Sequence, residues 1–498
     1  MPVPSNGQET QAKQDFLDAS SWRGHFYSDG WTMTSGDVMD VVEPATGAVL
    51  TSVGIASPAD VRAAAASARH AQPEWAALHY AQRAAIFRKA AQVMTENAAD
   101  ITFWLVREAG SIQPKADFEL SLCISCLEEA SAMPTQPQGL MLPSYGGRLS
   151  FARRQALGVI GVISPFNFPL YLALRAVAPA LATGNAVVLK PDPRTAVSGG
   201  FSLAQTFENA GLPAGLLHVL PGRADIGAAL CSDQDIAMIQ FTGSTNAGRA
   251  VGELAGRHLK KVSLELGGKS PLIVLDDVDL DRAASNIAWA TYLHQGQVCM
   301  TAGRVLVQEN IASEIVRRMV EKAKNLPVGN PATSGAALGP LISSSQIHRL
   351  ASIVEDSVRA GAILEQGGTH DGPFYRPTVL SGVRPGMRAF EEEMFGPVAA
   401  ITTFISDDEA VEIANRTDYG LAAAVLSGSV SRAMTLGGRL HAGILHINDQ
   451  TIGDDVVNPF GGVGASGNGT SIGGPANWEL FTHWQWVTIQ DAPPAYPF

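Results

Sequence analysis

Cysteine is scarce in this chain: four residues in 498, at positions 123, 126, 231 and 299. So few thiols cannot staple a chain of this length as a disulfide framework, and a reducing cytoplasm is the expected compartment. Cys123 and Cys126 make one CxxC at helical spacing, with no second cysteine pair, so core cysteines are expected there rather than zinc ligands. No His, Cys and Asp cluster has metal-ligand spacing, and no metal is expected. Charge is sparse too: Asp, Glu, Lys and Arg make up 16% of the chain, with a net balance of −12. That sign argues against nucleic acid or an anionic membrane as partner. Uninterrupted apolar runs are also missing. The start, Met1 to Trp22, is polar and has no leader-like apolar region. The most apolar stretch, Leu157 to Ala182, contains Pro165, Asn167, Pro169, Arg175 and Pro179, which argue against a lipid-crossing helix.

What is present is globular. Hydrophobic residues reach 46% and glycine numbers 50, and the length predicts two or three domains. Residues 59–100 read as amphipathic helices, opened by Ser57-Pro-Ala-Asp. From 158 to 274, short apolar strands alternate with helical stretches: 158–164, 186–190, 216–220 and 238–242, with a helix from Ser198 to Asn209 among them. This alternation predicts a parallel, doubly wound sheet. A second series follows, with strands at 271–275 and 304–308 and helices at 280–293 and 312–324. Leu480–Ile489 and Leu149–Gln155 read as further strands, either a local hairpin or edges that complete a partner's sheet.

Several short segments carry chemistry. Met238-Ile-Gln-Phe-Thr-Gly243-Ser244-Thr-Asn-Ala-Gly248 is a strand, a turn and a helix start, an arrangement that suits a diphosphate or serves as a plain tight turn. Ser164-Pro-Phe166-Asn167-Phe168-Pro169 fixes an amide between two prolines, as an oxyanion donor or an Asx turn. Lys190-Pro-Asp192-Pro-Arg194 follows a strand end, where open α/β sheets bind ligands. Glu265 lies in Leu-Glu-Leu-Gly-Gly-Lys-Ser, and Cys299 in Tyr-Leu-His-Gln-Gly-Gln-Val-Cys. A thiol beside a glycine turn and a carboxylate in an apolar segment are what covalent chemistry on a carbonyl needs. Taken alone, Cys299 reads first as a structural cysteine and Glu265 as an ion-paired or capping residue.

Together, the Glu265 and Cys299 motifs, the Gly-Ser-Thr-x-x-Gly turn and Glu393-Met-Phe395-Gly-Pro resemble the aldehyde dehydrogenase superfamily over roughly residues 40–490. Leu293-His-Gln-Gly-Gln, His446-Ile-Asn-Asp-Gln-Thr and Pro459-Phe-Gly-Gly-Val-Gly resemble most its bacterial benzaldehyde and vanillin dehydrogenases. The resemblance implies an α/β fold of two doubly wound parallel-sheet domains and a small β oligomerisation element. It divides the chain into a dinucleotide-binding domain (20–140 and 157–267), a catalytic domain (268–470) and oligomerisation strands (141–156 and 471–492) of a homodimer or homotetramer. It also implies oxidation of an aldehyde, aromatic by the narrower likeness, to its acid through a thioester on Cys299. By the same resemblance Glu265 would activate water and Asn167 would help hold the oxyanion. Ser164, Phe166, Lys190, Asp192, Gly222, Gly243, Ser244, Gly248, Glu393 and Phe395 would bind NAD. The lysine usual in the 459–467 loop is replaced by Gly464, so that loop is given no chemical role.

Residues flanking these motifs are expected to line the substrate pocket: Phe168, Tyr171, Leu172, Arg175, Tyr292, Leu293, Val298, Met300 and Phe460. Arg175, two turns beyond Asn167, is expected near the pocket mouth or in an ion pair. NAD-preferring relatives often place an acid three positions after the lysine; here that residue is Pro193, so NADP is expected to be accepted too. Two other readings stay open. One is a cofactor-independent cysteine acyltransferase or amidohydrolase, for which only His294 lies near the thiol in sequence. The other is a catalytically inactive relative.

Overall fold

The computed structural model describes residues 16–498. Most of the polar start read as lacking a leader therefore lies outside the described residues. The first of two seven-stranded sheets runs Lys261–Glu265, Ile236–Thr242, Val159–Ile163, Ala186–Lys190 and Leu217–Val219, all parallel. From Val159–Ile163 the chain winds first to one side, through Ala186–Lys190 and Leu217–Val219, then crosses to the other. Such a reversal opens a crevice at the C-terminal ends of the central strands. Val159–Ile163 and Ala186–Lys190 are wholly buried, which is why they read as continuous apolar runs rather than alternating ones.

Helices cover both faces. Pro58–Ala77 begins at a reciprocal Ser57–Asp60 capping box. Pro169–Ala182 is buried at all but one position, so the membrane-like run is a core helix. No helix among the described residues is long and apolar enough to cross a membrane. The helix expected from Ser198 opens as a π-turn over Val197–Phe201 before Ser202–Asn209. The buried Glu108 carboxylate accepts the Val197 and Ser198 N–H groups at that start.

The second sheet runs Ile363–Gln366, Thr378–Ser381, Val398–Phe404, Arg304–Gln308, Pro271–Val274, Ala422–Leu426 and Ile444–Ile447, parallel except for its first strand. Antiparallel edges occur in both sheets, since His25–Tyr27 and Trp31–Met33 close the first. Strands this short carry too few residues to show a period. Thr482–Ile489 pairs antiparallel with Leu149–Ala156 along eight residues, and Gly139–Met141 adds a third strand. The two strands read near the chain's end and at the 149 boundary thus form one small sheet.

Candidate active site

The strand Lys261–Glu265 ends at the glutamate, and bare backbone follows it. A Cβ on Gly267 would stand 2.4 Å from the Glu393 carboxylate, and one on Gly268 2.5 Å from the Cys299 carbonyl oxygen. Glycine at both positions therefore lets three distant segments close on one point. The Gly268 N–H donates to Glu393 Oε1 at 3.1 Å. On the opposite flank the Leu266 N–H donates to the Ser466 carbonyl at 2.9 Å, so the 459–467 loop braces the glutamate segment through its backbone. Gly296, at φ 68° and with its Cβ position 2.3 Å from the Gly396 carbonyl oxygen, lays the approach to Cys299 against the 395–397 turn.

Asn167 is brought in by the helix start at Pro169. Its Nδ2 donates to the Gln297 carbonyl at 2.9 Å. An amide nitrogen has two protons, so one bond fixes the plane and leaves the other proton for a ligand. Asn167 and Cys299 both line a cavity of about 740 Å³, as do Ser164, Phe166, Leu172, Lys190, Asp192, Gly243, Ser244, Glu393 and Phe395.

That cavity fits a dinucleotide. Ser244 caps the helix Thr245–Arg257 by accepting from the Ala247 N–H, and Thr245 and Asn246 of its first turn lie in the lining. A helix start of this kind favours a diphosphate. Beside it, Ala224, Gly227, Ala228, Val251 and Leu254 make an apolar slot suited to a flat base. A Cβ on Gly243 would meet the Phe241 ring at 2.6 Å. Glu393 and Lys190 also line the cavity, an acceptor and a cation that could meet sugar hydroxyls. Asp192 is already engaged: Arg194 holds both its oxygens at 2.7 and 2.8 Å and stacks 4.1 Å over Phe166.

Burial disfavours the charged form of both reacting groups. The Glu265 carboxyl is buried and neither oxygen has a protein partner. Burial raises its pKa well above the usual carboxylate range, the Arg175 guanidinium opposes this, and Asp454 reinforces it. The Cys299 thiol opens partly onto the cavity, yet its packed surroundings, with Glu393 and Glu265, push its pKa up to about 12. Two anions side by side in a poorly solvated site would be costly.

The sequence pattern of the aldehyde dehydrogenase family matches residues 31–487. The chain belongs to the aldehyde dehydrogenase family. It is 52% identical over 484 residues to a vanillin dehydrogenase of Amycolatopsis sp., covering 97% of this chain and 100% of that one. It is 47% identical over 478 residues to a benzaldehyde dehydrogenase (NAD+) of Pseudomonas putida, covering 96% and 98%. The solved structure of a salicylaldehyde dehydrogenase from Pseudomonas putida, complexed with salicylaldehyde, superposes at a TM-score of 0.92 with 34% identity, covering 95% of this chain and 99% of that one.

In this aldehyde dehydrogenase the cavity takes in some of the expected site residues and leaves others outside its lining. Of the nine proposed pocket residues, Leu172 alone lines the large cavity. Phe168, Tyr171, Val298, Met300 and Phe460 are buried in the packed core around it. Tyr292 faces away, into the second sheet's core, with its hydroxyl donating to the Thr378 carbonyl at 3.1 Å. Leu293 is half-buried, outside the lining. Arg175 is no free cation at a pocket mouth. It is buried in an ion pair with Asp454 and also donates to the Tyr171 hydroxyl and three backbone carbonyls. Gly222 and Gly248 are packing glycines outside the lining, with Cβ positions 2.3 Å from Ile226 and 2.2 Å from Leu266. His294 is buried with both ring nitrogens unpartnered and lies edge-on to Phe168. The thiol–imidazole pair of a cysteine acyltransferase is thus missing among the described residues. Cys123 and Cys126 are buried and free, as expected.

Other contributors went unread. Arg349 donates to the Glu393 carbonyl, and Gln346 to those of Met394 and Phe395, fixing the segment on which Phe395 adopts φ 51°. Lys115 and Glu119 reach the Asn167 loop from the helix Gln113–Ala132. A signal existed for them: 115, 119, 123 and 126 recur at helical spacing, and the charges share the face of the two core cysteines.

Proposed function

We propose that the chain oxidises aromatic aldehydes to carboxylic acids with NAD, through a thioester on Cys299. One observation carries this reading. The Cys299 thiol, an amide donor on Asn167 and the unpartnered carboxyl of Glu265 belong to segments that meet at one cavity. Lys190, Glu393 and the helix start at Ser244 would hold the dinucleotide. The aromatic substrate class is supported by the relatives named for vanillin, benzaldehyde and salicylaldehyde.

Once its proton has passed to solvent, Cys299 Sγ bonds as the thiolate to the carbonyl carbon, and the carbonyl oxygen becomes an oxyanion. Asn167 Nδ2 and the Cys299 N–H donate to that oxygen, where charge develops only in the transition state. NAD, when bound, supplies the acceptor for the hydride that the carbon gives up. Glu265 then takes a proton from water as the water oxygen attacks the thioester carbon. The C–S bond breaks, the acid leaves, and the sulfur departs as thiolate.

Residues 20–140 and 157–267 serve the cofactor, and 268–470 carry the thiol. Residues 141–156 and 471–492 join copies of the chain into a homodimer or homotetramer. Exposed Trp486, Ile489, Leu140 and Met141 on the small sheet support that last reading, and molar mass by light scattering tests it. NADP is accepted as well. Pro193 offers no charge against a 2′-phosphate, and Arg194 stands beside it in the cavity lining.

The decisive experiment follows reduced cofactor with benzaldehyde, vanillin, salicylaldehyde and a medium aliphatic aldehyde, using NAD and NADP in turn. Turnover of the aromatic aldehydes with NAD is expected. No turnover of any of them, or an aliphatic preference, overturns the substrate reading. Discrimination against NADP beyond about 10³-fold, roughly 4 kcal/mol, overturns the reading of Pro193.

A further inference from the structure

The loop that carries Asn167 is gripped from a helix about 50 residues earlier, by a charge pair with no access to solvent. Lys115 and Glu119 lie one turn apart on Gln113–Ala132, and both side chains are 0% exposed. The Lys115 ammonium donates to the Glu119 carboxylate and, at 2.8 Å, to the main-chain carbonyl of Asn167. The other oxygen of Glu119 accepts the N–H groups of Leu170 and Tyr171 at 2.9 and 3.1 Å. No residue at the start of Pro169–Ala182 caps that helix with its own side chain. The orphan amides that open every helix are met here by a carboxylate from another helix.

One ion pair thus holds the carbonyl of Asn167 and the amides three and four residues beyond it. The residues between are fixed as well. Lys115 Nζ stands 4.0 Å from the Phe168 ring centroid, and His294 packs edge-on to that ring, with centroids 5.8 Å apart. The Gln297 N–H donates to the His294 carbonyl at 3.0 Å, and the Gln297 carbonyl in turn accepts from the Asn167 amide. The amide is therefore fixed from both ends, by Lys115 through its backbone and by the Cys299 segment through its side chain. A buried ion pair is weak evidence for stability, because desolvation offsets most of the attraction. Its geometry here is directed at the donor loop.

We propose that Lys115 and Glu119 are positioning residues for the oxyanion donor: they set the aim of the Asn167 amide and touch neither substrate nor cofactor. The proposal rests on the reading of Asn167 as that donor. A displacement of the donor by about 1 Å costs up to about 10²-fold in rate, so a clamp of this kind acts on chemistry rather than on binding.

The test is a double-mutant cycle read by the pre-steady-state burst of NADH with benzaldehyde. Lys115→Met is expected to slow the burst by about 10- to 100-fold, with the KM for benzaldehyde and the NAD dissociation constant within about 3-fold of wild type. In an Asn167→Ala background the same substitution is expected to change the burst less than about 2-fold, because the group it aims is gone. Equal losses in both backgrounds overturn the clamp while leaving Asn167 as donor. A wild-type burst in Asn167→Ala overturns the donor reading and the clamp with it. If Lys115→Met leaves Glu119 unpaired and the chain fails to fold, Lys115→Met/Glu119→Gln removes both charges and keeps an acceptor for the helix amides. The same cycle is then run with that variant, and the same comparison decides.

Discussion

Arg175 offers the sharpest quantitative test of how the site is built. Its guanidinium is 4% exposed and faces Asp454, itself 12% exposed. It also donates to the Tyr171 hydroxyl at 2.6 Å and to the carbonyls of Asp455, Asn458 and Ile472 at 3.3 to 3.4 Å. Replacing it by methionine keeps much of the volume but strands a buried carboxylate, which costs about 3–5 kcal/mol. Arg175→Met/Asp454→Asn strands no charge, loses only the neutral bonds, and is expected to recover about half of that. The apparent urea midpoint and the inactivation half-life at fixed temperature measure both. Catalysis should follow the same pattern. The guanidinium holds the Glu265 pKa down and Asp454 holds it up, and Glu265 must be ionised to accept a proton. Removing Arg175 alone therefore moves the rising limb of turnover to higher pH, and removing both charges moves it back. Selectivity between benzaldehyde and hydroxyl-bearing aldehydes should stay within about 3-fold, since the guanidinium is already occupied. A single variant within about 1 kcal/mol of wild type, or a double variant as damaged as the single, refutes the reasoning.

Cys299→Ala is expected to abolish aldehyde oxidation while NAD still binds, measured by fluorescence quenching; turnover by this variant removes the thiol from the reaction. Glu265→Gln should give a burst of NADH followed by a stall, because an amide cannot take a proton from water, and unimpaired steady turnover at pH 7 would rule out the base role. Lys269 is buried without a partner for its ammonium, and desolvation with the nearby Arg304 lowers its pKa from 10.5 to about 7. The unfolded chain then binds more protons than the folded one between those values, so stability contributed at this site rises with pH from about 7 upward. Lys269→Met should flatten that rise in urea midpoints; an unchanged slope contradicts it.

The sequence made legible whatever depends on local pattern. The parallel strands stood out because burial on both faces leaves unbroken apolar runs, as at Val159–Ile163. The reacting groups stood out because Glu265 and Cys299 sit beside glycines whose close approaches admit no side chain. Which of the motif-flanking side chains line the cavity was not legible, because flanking a motif does not decide which way a side chain faces. Tyr292 lies seven positions before Cys299 and turns into the other sheet's core. Arg175 shares a helix with the donor loop, but its partner Asp454 comes from a segment 279 positions later. Lys115 and Glu119 went unread, although they share a helix face with the two core cysteines. The antiparallel edge strands failed for a simpler reason: three or four residues carry no period.

The pairing of Leu149–Ala156 with Thr482–Ile489 bears on how the molecule is made. Gln155 and Gln485 bond across this pair although 330 positions separate them. During synthesis the earlier strand emerges long before its neighbour exists. Until Thr482–Ile489 has left the ribosome, it offers one unpaired edge to any other extended chain. Contacts this distant in sequence form late and slowly. The small sheet is therefore a late seam of the fold, and a chain stalled before Thr482 leaves that edge open to aggregation. Chaperone demand during expression should concentrate there, however stable the two large sheets already are.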